Sequence, residues 1–237
     1  MMAETLTPLI VATLAFVGSH FLMSAVPVRS RLIGALGRWG FIAVYSVVSV
    51  ATFVWMNYTF SRAPLVDLWP GVDWTYWVAL VLMLFACVLL VCGMLTPNPT
   101  AVIGAHALKR EDAARGIFTV TRHPVMWAIL LWSVSHVMNI GDAAALIYFA
   151  SLGALALFGM MHMDARRDAE GDPDWQRFRA RTSFIPFAAA LAGRTRISLA
   201  EIGWVRMALG IAVYVLLLSA HEWVIGVVVA PWVFGPN

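Results

Sequence analysis

Charge is what this chain has least of. Only 12% of its 237 residues are charged, whereas 61% are hydrophobic. A soluble domain is about 25% charged, so this composition cannot cover a globule with a water-compatible surface. Cysteine is almost missing as well. Cys87 and Cys92 share one apolar stretch, and their spacing fits neither a CxxC redox pair nor a zinc site. An inert lipid-facing or packing role is what remains for them. Nucleophile elbow, P-loop, HExxH pair and dinucleotide fingerprint are all missing, which removes the common hydrolase, nucleotide-binding and zinc-protease readings. No basic face or recognition motif points to nucleic acid. The first apolar run is preceded by Glu4 and followed by arginines, the reverse of signal-peptide flanks, so a retained helix is expected.

What is present is hydrophobic length. Mean hydropathy is +0.81, and apolar runs fall at about 7–26, 39–59, 74–95, 124–140, 143–163 and 205–229. Most of these can cross a hydrocarbon core about 30 Å thick. In lipid each run must be helical, because only a helix satisfies its own backbone donors and acceptors. The expected fold is all-α and polytopic: one domain over residues 1–237, with six transmembrane helices in one bundle. Gly141-Asp142 makes the link between runs four and five a tight turn.

The cations orient this bundle. Arg29, Arg31 and Arg38 lie between runs one and two, and Lys109, Arg110, Arg115 and Arg122 between three and four. The arginines from Arg166 to Arg206 follow run five, so Arg62 alone faces the other side. The positive-inside bias then places both termini outside and the basic connections in the cytoplasm. Trp55, Trp69, Trp74, Trp77, Trp223 and Trp232 cluster at the expected outer boundary, with Trp39 and Trp204 at the inner one, as rings at headgroup depth do. Asp172-Pro173 reads as an N-cap and first helical position. Trp175, Phe178 and the arginines between them then suggest a short helix on the cytoplasmic surface. Phe184-Ile185-Pro186-Phe187 should dip back into the interface.

Three histidines, His20, His136 and His221, stay inside apolar runs. An ionisable ring at membrane depth normally faces a partner or cavity. It can meet its desolvation cost through one interhelical hydrogen bond, or by ligating a metal through one nitrogen while donating from the other. Thr13, Val17, His20 and Ser24 share a helical face, and Trp132, Ser133 and Asn139 flank His136. At ~1.5 Å per residue, His20 lies ~9–13 Å and His136 ~18 Å from the cytoplasmic edge. A tilted pair of helices could close that offset around a planar cofactor. Ser-His recurs at 19–20 and 135–136 without any longer repeat.

Arg122-His123-Pro124 opens the fourth run. Proline suits the first helical position, and the free N–H groups there favour an anion. The arginine fork matches carboxylate or phosphate, so Arg122 and His123 are candidates to bind a cofactor's carboxylates or a lipid phosphate. Asp164 could pair with Arg166, Arg167 or Arg122. His162, two residues earlier, suits the negative end of its helix.

The run from Gly116 to Ala128, with Thr121-Arg122-His123-Pro124 at its centre, followed by Leu131-Trp132-Ser133-Val134-Ser135-His136, resembles the NnrU family. So do Asn139-Ile140-Gly141-Asp142, Phe158-Gly159 with Asp164-Ala165-Arg166-Arg167, and Thr182 to Phe187. The early block Ser19-His20-Phe21-Leu22-Met23-Ser24 agrees, as do Leu36-Gly37 and Tyr45-Ser46. The resemblance implies a multi-pass protein of the bacterial inner membrane, associated with denitrification. The family also includes a heme b enzyme of carotenoid synthesis that isomerises a cis double bond. Its heme-ligating histidines match His20 and His136, which implies heme b held between helices one and four and a hydrophobic small-molecule substrate. That enzyme has a cysteine where this chain has Ser133, so a thiolate-based ligand switch is not expected here. The RHP element is also similar to isoprenylcysteine carboxyl methyltransferases, which bind S-adenosylmethionine. Their acidic pair is replaced here by Asp164 with Arg166 and Arg167. A non-catalytic assembly factor of a respiratory complex is the remaining expectation.

Overall fold

Our computed structural model describes residues 5–100, 104–110, 112–227 and 229. Trp232, Glu4 and both chain ends lie outside them. Among the described residues the chain is helical, with one isolated β-bridge. Six helices form the body: α1 (Thr7–Ser24), α2 (Val26–Phe60), α3 (Asp73–Met94), then, after a four-residue α4 (Ala105–Leu108), α5 (Pro124–Asn139) and α6 (Ala143–Glu170). The short helices α7 (Pro173–Arg181), α8 (Ala188–Leu191) and α9 (Leu199–Ile202) lead to the last body helix, α10 (Trp204–Ile225). Five of the body helices are long and apolar enough to cross a membrane. The exception is α5, whose 16 residues span ~24 Å.

Packing follows a simple order. α5 lies against both α3 and α6, α1 against α2 and α6, and α10 against α3. Gly210 permits that last approach, since a Cβ there would come within 2.8 Å of Val88 Cα. Outward faces are strongly apolar. Trp55, Trp69, Trp74, Trp77 and Trp223 towards one end, and Trp39 and Trp204 towards the other, are all exposed, as lipid-facing and headgroup-level rings should be. The protein is an integral membrane protein.

Helix ends depart from the apolar runs where local chemistry, not hydropathy, sets them. α2 begins at Val26, well before Trp39, with a proline in its first turn, and bends at Gly37 (φ 69°, ψ 169°). That conformation is open to glycine and strained for other residues. α6 runs past the apolar stretch to Glu170 and is closed by Gly171 in the left-handed conformation. At its start Asp142 accepts from Ala145 N at 2.9 Å, an N-cap bond.

Two clusters make the core. At the basic end, Leu89 and Cys92 of α3 pack with Phe118, Trp175, Phe178 and Ile202. The helix starting at Pro173 forms as its N-cap predicts, with Asp172 accepting from Asp174 N. Trp175 and Phe178 are nonetheless buried in protein, 0% and 1% exposed. This face of α7, read as membrane-seeking, thus rests on protein, with Phe178 meeting Phe118 in the chain before α5 and the helix lying against α4 and α6. Toward the opposite end, Leu9, Ala12 and Phe16 of α1 meet Met56 of α2 and Tyr148, Phe149 and Leu152 of α6.

Candidate functional site

His20 and His136 occupy matching local settings on α1 and α5. In each, Nδ1 lies at hydrogen-bond distance from the carbonyl four residues earlier, Phe16 O at 2.7 Å and Trp132 O at 2.8 Å. A carbonyl only accepts, so Nδ1 carries the proton and a neutral ring leaves its lone pair on Nε2. Among the described residues, neither Nε2 meets a hydrogen-bond partner. The same earlier residue also packs on the ring: Phe16 on His20 at 4.4 Å and Trp132 on His136 at 5.0 Å between centroids. Phe149 stacks on His136 at 4.5 Å and 23°, covering a ring face and leaving the edge that bears Nε2. Tyr45 meets His20 edge-on at 5.4 Å.

Phe16 and Phe149, the ring neighbours of the two histidines, belong to one buried cluster in which α6 lies against both α1 and α5. Two hydroxyls in these helices are buried without a partner: Thr13 Oγ1, on the His20 face of α1, and Ser133 Oγ, three residues before His136. Serine and threonine in helices usually bond back to their own carbonyls, as Ser19 and Ser135 do here. His221, on α10, lies near enough to His136 for their charges to interact, and its own Nδ1 is bonded to Val227 O at 2.8 Å.

Arg122 and His123 are brought together with Asp164. Arg122 Nε donates to Asp164 Oδ2, and His123 Nε2 lies against Oδ1, both at 2.8 Å. The three side chains are 8%, 0% and 12% exposed respectively. The anion drawn to this helix start is therefore the protein's own carboxylate. Backbone completes the clamp, with Arg122 N donating to Ser183 O at 2.9 Å and Phe187 N to Val120 O at 2.7 Å. Thr121 Oγ1 and Trp127 Nε1 both donate to Phe184 O at 2.9 Å. The segment 182–187 thereby lies along the chain entering α5, with Ile185 and Phe187 exposed beside it. His123 Nδ1 has no partner.

Sequence reasoning missed two contacts. His162 does not serve its own helix, which continues eight residues beyond it. Its Nε2 lies 3.1 Å from Ser24 O and so caps the end of α1. Asp142, read only as part of a turn, also accepts from Val66 N at 3.0 Å and holds the 61–72 connection onto the α5–α6 turn. Both bonds join residues far apart in sequence, and no local pattern signals them.

The NnrU protein family matches residues 8–229. The chain belongs to this family. Two curated proteins are similar to this NnrU protein, both named 15-cis-zeta-carotene isomerase, chloroplastic. The one from Arabidopsis thaliana is 30% identical over 182 residues, which is 73% of this chain and 47% of that protein. The one from Zea mays is 33% identical over 82 residues, 35% of this chain and 22% of that protein. The chain thus spans less than half the length of either relative. No solved structure matches it.

Proposed function

We propose that this NnrU protein is a six-span protein of a bacterial inner membrane, with both termini outside. In this reading it holds heme b between α1 and α5 through His20 and His136, and isomerises a cis double bond of a hydrophobic polyene. The observation that carries the reading is the paired imidazoles, each with Nδ1–H committed to a backbone carbonyl. Metal-ligating histidines have this arrangement, in which the second nitrogen fixes tautomer and orientation and raises ligand basicity. The unpartnered hydroxyls of Thr13 and Ser133 fit a polar or water-bearing ligand beside those rings. Heme bound there would supply an iron centre able to act as a Lewis acid or in one-electron chemistry.

The chain's own residues have definable parts in this reading. The Phe149 stack and the Trp132 carbonyl restrain the His136 ring about both of its axes. Phe16 and Tyr45 do the same for His20. Arg122 and His123, already bonded to Asp164, are positioning residues: they fix the start of the helix that carries His136. For the same reason they are poorly placed to take the carboxylates of heme or of S-adenosylmethionine, which leaves methyl transfer without a supporting contact. The isomerase assignment draws on the two isomerase relatives, and a part in denitrification rests on family association.

Absorption spectroscopy tests the proposal. Protein purified after expression with ample heme should show a Soret band and a b-type pyridine hemochrome. Histidine-to-alanine changes at 20 and 136 should each reduce or shift that band. Colourless, folded, stoichiometric protein removes the heme reading. A heme-loaded protein that leaves cis polyenes unchanged removes the isomerase reading alone.

A further inference from the structure

We propose that Arg29, Arg166 and Arg167 form a site for the phosphate of an anionic lipid headgroup at the basic end of the bundle. At this end most arginines are either matched or solvated. Arg110 and Arg115 share Asp112, Arg177 bonds Asp174 and Arg179 bonds Asp168, with exposures between 46% and 57%. Arg122 is buried but fully engaged with Asp164.

The triple on α2 and α6 differs in both respects. Arg166 and Arg167 are only 19% and 18% exposed, and among the described residues the single carboxylate paired with them is Glu170, at 3.0 and 3.7 Å. Arg167 Nε is buried with no partner. Arg29 and Arg167 both lie near enough to Arg166 to repel its charge. Arg29 has no carboxylate among the described residues; its guanidinium sits over the Phe41 ring at 5.6 Å. On a straight helix residues 29 and 41 would be ~18 Å apart along the axis, so the Gly37 bend belongs to the architecture that holds Arg29 here.

Three guanidinium groups with one carboxylate among them, two of the three largely withdrawn from water, leave a net positive patch with spare donors. A tetrahedral phosphate supplies the missing charge and enough acceptor oxygens to satisfy several forks at once. The apolar surroundings argue for phosphate carried by a lipid. Leu22, Val26, Leu36 and Trp39 are 47–68% exposed at the end of α1 and around the α2 bend, a surface for acyl chains beside the charge. The frame is fixed locally, because His162 of α6 bonds the Ser24 carbonyl at the end of α1.

Native mass spectrometry of the full chain in detergent, with added phosphatidylglycerol or phosphatidylcholine, tests this. Wild type should retain phosphatidylglycerol in preference to phosphatidylcholine. The double variant Arg166→Gln/Arg167→Gln should bind it about thirtyfold more weakly, and Arg29→Gln about fivefold, near the value of each arginine at a charged surface. Arg177→Gln, at an exposed and locally paired site, should match wild type. A folded double variant that keeps wild-type affinity overturns the proposal. If that variant aggregates, Arg29→Gln decides alone, and unchanged binding there overturns it equally. Inorganic phosphate at millimolar concentration should leave the lipid in place. Complete displacement would assign the site to a soluble phosphate and overturn its lipid identity.

Discussion

Replacing Asp164 by alanine removes one acceptor from two buried donors at once. The Arg122 guanidinium would keep only its 3.5 Å approach to the Thr182 carbonyl. His123, whose Nδ1 already lacks a partner, would have neither ring nitrogen bonded. Removing one member of a buried ion pair costs about 3–5 kcal/mol, because the surviving charge is stranded. With side chains only 8% and 12% exposed, Arg122 and Asp164 gain little relief from solvent. We therefore expect Asp164→Ala to lose about 3–5 kcal/mol in reversible unfolding from mixed detergent micelles, followed by tryptophan fluorescence. The triple change Arg122→Met, His123→Leu, Asp164→Leu should recover most of that loss, since apolar replacement of a whole buried ionic cluster is often neutral or better. A single variant within about 1 kcal/mol of wild type, the scale of an ordinary substitution, would refute the reasoning. So would a triple variant no more stable than the single one.

Trp175→Ala should cost about 3–5 kcal/mol by the same unfolding measurement, because its ring is fully buried and its Nε1–H donates to Asp168 at 2.8 Å. A lipid-anchored tryptophan would show much less in detergent. Gly141→Ala should lose about 1–3 kcal/mol through overpacking, since a methyl group there overlaps the Trp69 carbonyl; thermal unfolding at or above the wild-type midpoint would count against that fit. Hydrogen bonds from Arg110 and then Arg115 hold the Asp112 carboxyl at about 2, below its ordinary 3.8. A carboxyl held low in the folded state stabilises it above the ordinary value, and the contribution fades as pH falls toward the folded one. Asp112→Asn should thus unfold slightly below wild type at pH 6, with the gap closing toward pH 2; a gap of constant size would reject the linkage.

The spans were readable because lipid demands an uninterrupted apolar run, and five long helices fall close to where those runs lie. Their ends were less readable. Hydropathy stops near Met163, yet Ala165, Arg166, Arg167 and Glu170 are good helix formers, and α6 continues until Gly171 ends it. At α2, Pro27 and the polar residues after it hide a helical first segment, because hydropathy marks only oil-soluble length. The burial of Trp175 illustrates another limit. An amphipathic face looks the same in sequence whether it meets lipid or protein, and only tertiary contact distinguishes them. Of the candidate site residues, the alternative pairing of Asp164 with Arg122 was visible as charge complementarity. The share taken by His123 was not, since a histidine carries no fixed charge that marks a distant carboxylate as its partner.

α10 leans on the rest of the protein chiefly along α3. Taking it away would therefore uncover mainly one side of α3, the strip where Gly210 comes up against Val88, and would leave the contacts among the other five body helices in place.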